Sequence, residues 1–183
     1  VTLKTSLLSV LSVAALALLV SGCAAQTPAP AASSPAAVPP AAAIVEGACS
    51  DDEGITLVVD SSALADGSAK EWCRPTEEPL AVADVLGEAG VETEGTEEYG
   101  DQVVCRVNGL PSATEPVGSK EDPSYVEECA SMPAAFAYWS LWTQPAGGEW
   151  AYAEEGLATL EAQPGERVAL LFTLDGAPAT PTS

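Results

Sequence analysis

The sequence predicts an α+β domain with one short helix and several strands, and three observations carry that prediction. Strand-like runs precede and follow a single stretch of helical spacing, so the order reads β-β-α-β-loop-β-β-β. Four cysteines, Cys49, Cys73, Cys105 and Cys129, are spread through these runs as an even set suited to an oxidising compartment. All 27 acidic residues lie at or after Glu46, so the segment before it is chemically a different piece of chain.

That first piece has two parts. Lys4 precedes an apolar run from Leu7 to Val20 broken only by Ser9 and Ser12. The run is shorter than the roughly 20 residues a membrane-crossing helix needs, and it suits the apolar region of a secretory signal. Val20-Ser21-Gly22-Cys23 resembles a bacterial lipobox, in which the cysteine receives lipid and becomes the first mature residue. Residues 1–22 are therefore expected to be a lipoprotein signal peptide, and Cys23 the lipidated residue that ties the protein to the membrane. The other reading is a conventional signal cut near Cys23. Cysteine arithmetic favours the lipid, because five cysteines leave one unpaired and lipid on Cys23 accounts for it. Residues 23–45 then read as a disordered linker. They are rich in Ala and Pro, and prolines 28, 30, 35, 39 and 40 oppose a packed helix.

Residues 46–174 are the disulfide-stabilised α+β domain, with 175–183 a flexible tail. Ile55 to Val59 is apolar and β-branched, and Asp66-Gly67-Ser68 turns it towards Lys70–Cys73 as a hairpin. Pro79 to Leu86 places proline in a first helical turn, with Leu80, Ala83 and Leu86 at helical spacing and Gly90 as the stop. Glu92 to Glu98 reads as a charged loop or an edge that discourages pairing. Val103 to Val107 is a strand ending in the turn signal Asn108-Gly109. Pro111 to Pro133 is a polar loop, and strands return at Phe136–Thr143, Trp150–Ala153 and Arg167–Thr173. Four cysteines allow three connectivities. Cys49 with Cys73 and Cys105 with Cys129 are favoured, since each pair brackets a strand-like run and its return. Each such loop is worth about 3 to 4 kcal/mol in the chain-entropy model.

Charge and composition exclude several functions. The chain has 183 residues, 6 Lys+Arg, 27 Asp+Glu and no histidine, a net charge of −21. Without Lys4 the exported part has five basic residues against 27 acidic ones, a net of −22. Nucleic acid is thus not an expected partner, because binding there needs clustered cations. Lacking histidine, the chain can build no Ser-His-Asp or Cys-His arrangement, and no CxxC pair offers a redox or zinc site. Asp101, Glu127 and Glu128 are nominal carboxylate candidates for glycoside chemistry, but with 27 acids a near pair is expected by chance. Asp51-Asp52-Glu53-Gly54 lacks the alternating ligands of a calcium loop. The expectation is a protein that binds, is not an enzyme, and uses no metal or cofactor.

One feature is concentrated. Six of the ten aromatic residues lie between Phe136 and Tyr152. On a strand, Phe136, Tyr138, Ser140 and Trp142 would share one face while Ala137, Trp139 and Leu141 take the other. Trp150 and Tyr152 would then share a face of the next strand, opposite part of that set. Tyr138, Trp139, Trp142, Trp150 and Tyr152 are the candidate ligand-binding residues, since such rings offer large area with a polar tip to a flat apolar solute or a protein partner. The competing expectation is that both faces are covered, one by the helix and one by the long cysteine loop.

The run Ala137 to Trp142, then Gly147 to Tyr152, Gly156, Pro164 to Val168, and upstream Val104 to Gly109, resembles small exported actinobacterial proteins. Those are similar to the C-terminal domain of transcobalamin and intrinsic factor, a β-grasp-like unit grouped with a domain of unknown function. The resemblance implies a mixed or antiparallel sheet with one helix, and a corrinoid-like solute as a ligand of the aromatic positions, with an accessory role in uptake as the expectation that follows. It equally leaves open a cell-surface protein-interaction or inhibitor module.

Overall fold

The run Gly54–Asp60 (β2) is buried along its whole length, which puts apolar and β-branched side chains on both faces and makes it a central strand. It pairs antiparallel with Ala69–Pro75 (β3), from Gly54 opposite Pro75 to Asp60 opposite Ala69. The turn between them starts at Ser61, earlier than Asp66. Ser61 accepts from the Ser68 N–H and donates to the Ser68 carbonyl through one hydroxyl, at 3.0 and 3.1 Å. Gly67 passes so close to Ser61 that a Cβ would run into its carbonyl oxygen. Gly67→Ala is therefore expected to lower the thermal midpoint and cost about 2 kcal/mol, as overpacking typically does; an unchanged midpoint would contradict this close approach.

The computed structural model describes residues 43–50 and 52–182, all within one compact unit. The expected signal segment, Cys23 and nearly all of the Ala/Pro-rich linker lie outside the described residues. Around the hairpin, the remaining elements are Val45–Glu46 (β1), Leu80–Ala81 (β4), Val82–Glu88 (α1), Thr93–Thr96 (β5), Gly100–Val107 (β6), Ala137–Gln144 (β7), Ala151–Tyr152 (β8), Glu161–Ala162 (β9) and Arg167–Leu174 (β10). Six of these strands form one sheet in the order β1-β3-β2-β10-β7-β8. The last long strand, β10, runs parallel to β2 and antiparallel to β7, so the sheet is mixed. This is an α+β fold with one helix among the described residues.

Helix α1 begins three residues after Pro79, because Leu80–Ala81 pairs with Glu161–Ala162 instead. Ala81 has no capping side chain, and the Val82 N–H finds the Leu160 carbonyl at 2.9 Å in place of a cap. The helix ends where expected, with Val91 N–H donating to Leu86 and Gly90 N–H to Gly87 as a Schellman pair. The buried residues are Val82, Val85 and Leu86, whereas Ala83 is exposed, so the apolar stripe is rotated from the expected one.

Two termini also differ from expectation. Ile44 packs against the core and Val45–Glu46 pairs with Cys73 and Trp72, so the ordered fold starts inside the stretch assigned to the linker. After Leu174 the chain is not a free tail. Asp175 accepts from the Ser119 hydroxyl and the Lys120 N–H, Thr173 donates to the Pro178 carbonyl, and Pro181 is buried. The Ser119 bond first, and the Lys120 N–H next, hold the Asp175 carboxyl below its ordinary pKa.

The acidic run around Glu94 is likewise a strand. It pairs β5 with β6 through a bulge at Gly95, and Arg106 meets Glu94 across the pair at 2.6 Å. Strand β6 ends in Asn108 and Gly109, both at positive φ (49° and 77°), which is the conformation this dipeptide signals. The two disulfides are Cys49–Cys73 and Cys105–Cys129.

Pro111 to Pro133 carries no strand or helix, and its interior partners pin it. Val117 and Tyr125 pack with α1 on the same sheet face, beside Leu57, Val59, Leu170 and Phe172. Tyr125 donates its O–H to Glu127 at 2.7 Å. Burial first, and this bond next, push its pKa up to about 12. A pKa above the unfolded value near 10 means that the associated stability is complete below pH 10 and is lost as pH rises from about 10 to about 12. Ultraviolet titration should therefore show a late tyrosine ionisation that disappears in Tyr125→Phe; an unchanged alkaline limb would refute the assignment.

Candidate functional site

Strand β7 sorts its side chains as alternation requires, with one exception. Ala137 and Trp139 enter the main core, where Trp139 meets Phe172 edge-on at 5.4 Å and donates its Nε1–H to the Leu110 carbonyl at 3.0 Å. Trp139 is only 7% exposed. Phe136, expected on the opposite face, instead packs on this core against Tyr125 at 5.2 Å. It precedes the strand, so the alternation does not govern it.

The opposite sheet face holds Val58, Ala169, Leu171 and Trp142, which is 4% exposed. Trp142 donates to the Ser140 hydroxyl at 2.8 Å, and Ser140 donates to the Leu171 carbonyl at 3.1 Å. Tyr152 stacks on Trp142 from the neighbouring strand at 3.9 Å. Trp150 packs beside them beneath the Arg167 guanidinium, which also reaches Glu71 at 2.9 Å. The long cysteine loop does not cover this face, since it lies with the helix on the other one. Cover comes from these side chains, and Thr182 of the C-terminal segment lines a cavity with Val58 and Asp60.

A cleft of about 480 Å³ opens where β6 and β7 approach each other. Gln102, Val103 and Val104 form one wall, Tyr138 to Leu141 the other, and Met132, Tyr152, Ala153 and Glu155 to Leu157 the rim. Of the five candidate aromatics, the structure brings Tyr138, Trp139 and Tyr152 to this cleft. Trp142 and Trp150 do not line it and are engaged in packing the second sheet face. Tyr152 is 57% exposed, and the neighbouring Tyr138 raises its pKa.

The cleft also contains backbone. Strand β8 covers β7 only at Trp142 and Thr143, and the Ala153 N–H donates to the Leu141 carbonyl at 2.9 Å. Alternation along an antiparallel strand then aims the N–H and C=O of Trp139 at the same open edge. Neither has a hydrogen-bond partner among the described residues. The rim residues Met132 and Glu155 were not anticipated. Met132, the single methionine of the chain and 61% exposed, was the one available signal.

Other reactive-looking groups are engaged in the fold. Glu94, Cys105 and Cys129 lie together, but the sulfurs form a disulfide and Arg106 bonds both Glu94 and Cys129 Sγ. Glu127 is buried and accepts from Tyr125 and the Cys129 N–H. Comparison with known proteins found no matching family model and no matching curated sequence.

Proposed function

We propose that this chain is a lipid-anchored extracytoplasmic binding domain that takes a small, largely apolar solute in the cleft between β6 and β7, without enzymatic activity. The observation that carries the reading is the combination of three aromatic side chains and an unpaired strand edge in one cleft of about 480 Å³. That volume falls in the range of about 300 to 1,000 Å³ usual for small-molecule sites. The anchor rests on the sequence before Cys23, supported by the engagement of the other four cysteines in disulfides. The strand order β3-β2-β10-β7-β8, with β2 parallel to β10 and α1 on one face, supports the β-grasp-like reading and with it a place among transcobalamin-like domains.

Titration of the exported protein carrying Cys23→Ser, with cobalamin, cobinamide and small aromatic amphiphiles, tests the proposal through tryptophan emission. Saturable quenching that is lost in Tyr138→Ala is the expected result. No response at millimolar ligand would refute it. The open edge of β7 favours one second reading, a cell-surface interaction module that adds an extended protein segment to the sheet.

A further inference from the structure

We infer that the cleft between β6 and β7 selects a cationic amphiphile, a small molecule with an apolar body and an ammonium or guanidinium head. This rests on the cleft being the binding site and names the class of ligand that it takes.

Glu155 is the single charged side chain of the cleft, and no lysine or arginine is present there. The rings of Tyr138, Trp139 and Tyr152 line the cleft, and the face of such a ring attracts a cation. The Trp139 carbonyl, aimed at the open edge, adds a hydrogen-bond acceptor without a partner among the described residues. Leu141, Leu157 and Leu170 supply apolar contact for a hydrocarbon body.

The rest of the molecule reinforces this polarity. Arg74, Arg106 and Arg167 are each paired with a glutamate, namely Glu88, Glu94 and Glu71. Lys70 and Lys120 line other concavities. A net charge of −22 on the exported part therefore acts on the cleft with no local cation to offset it. Fields of this kind concentrate counter-ions in concave, low-dielectric sites. An anionic ligand would find donors in the Tyr138 and Tyr152 hydroxyls, the Trp139 N–H and the Gln102 amide, but it would meet Glu155, the ring faces and the net charge together with no cation to pair with. Attraction to one sign and repulsion of the other make the discrimination.

The test uses three probes with the same body and different heads: 4-phenylbutylamine, 4-phenylbutan-1-ol and 4-phenylbutyrate. Each is titrated into the exported protein carrying Cys23→Ser, and tryptophan emission is read. The amine should bind about tenfold more tightly than the alcohol, as cation–π and ion-pair attraction together allow, and the carboxylate should bind most weakly. Glu155→Gln should reduce the amine's advantage over the alcohol about threefold. Because Glu155 is exposed, this variant keeps the fold, which near-ultraviolet circular dichroism checks. The amine's advantage should also shrink in 1 M salt.

Equal binding of amine and alcohol, or tighter binding of the carboxylate, would overturn the cationic preference while leaving the cleft as the binding site. An amine preference that is unchanged in Glu155→Gln would overturn the role given to this residue. If none of the three probes binds, the preference fails together with the reading of the cleft on which it rests.

Discussion

Replacing Arg106 with alanine is expected to lower the unfolding free energy by about 3 to 5 kcal/mol, the range for breaking a buried charged network. Its side chain is 7% exposed and ties four pieces of chain together. It donates to the Pro111 and Glu127 carbonyls at 2.7 Å each, to Cys129 Sγ at 2.9 Å and to Glu94 at 2.6 Å. Glu94 is 57% exposed, so its carboxylate rehydrates when the partner is lost, and the ion pair itself is worth little. The main cost is orphaning buried carbonyls, at about 1 to 3 kcal/mol each. Glu94→Ala should accordingly cost less than about 1 kcal/mol. Arg106→Lys should recover only part of the loss, since an ammonium lacks the planar fork that reaches several acceptors at once. Urea unfolding midpoints decide this, and an Arg106→Ala midpoint close to that of the parent would remove the network from the account of stability. The same variant should free the stretch from Pro111 to Pro133 for rapid proteolysis, because neither strand nor helix holds it.

Trp142→Ala is the second large effect. It should cost about 3 to 5 kcal/mol, as deletion of a buried aromatic does. The indole fills the second sheet face against Val58, Ala169 and Leu171, and its removal also deprives the Ser140 hydroxyl of a donor. Tyr152→Ala should cost about 1 kcal/mol, because that ring is mostly exposed and chiefly contributes its stacking. A double-mutant cycle should return a coupling of about 0.5 to 1.5 kcal/mol between them. Near-neutral Trp142→Ala would mean that this ring is held available for a ligand, contrary to its place in the packing. The pair separates two roles within one aromatic cluster: Trp142 supports the face, and Tyr152 bridges from it to the cleft.

The elements legible in the sequence share one property, which is that nearby residues decide them. Alternating or β-branched runs predicted β2, β6, β7 and β10, and Gly90 marked the end of α1 and Asn108-Gly109 that of β6, because a backbone turn is a local event. The elements that were not legible are the four-residue β5, whose charges read as a loop or edge, and several two-residue pairings. Val45–Glu46, Leu80–Ala81 and Glu161–Ala162 are too short for any periodicity. They exist because distant backbone groups need partners. The start of α1 shifted for the same reason, its first N–H being satisfied from Leu160. Of the site, the aromatic concentration was visible and the cleft was not, since its walls come from β6 and β7 and its one charge from Glu155.

The sequence by itself determined an acidic α+β domain, its internal turns, and a cysteine spacing that favoured one of three connectivities, which the structure then decided. These follow from side-chain periodicity, turn chemistry and composition, which are properties of neighbours. Only the tertiary structure decided that β10 lies parallel to β2, that helix and loop share one face, that the C-terminal segment folds back, and which aromatics are packed rather than presented. Each of those depends on burying apolar surface and pairing backbone groups across long separations, so no local pattern encodes it. The open edge at Trp139 is the plainest case: it exists because β8 is only two residues long and stops short of it.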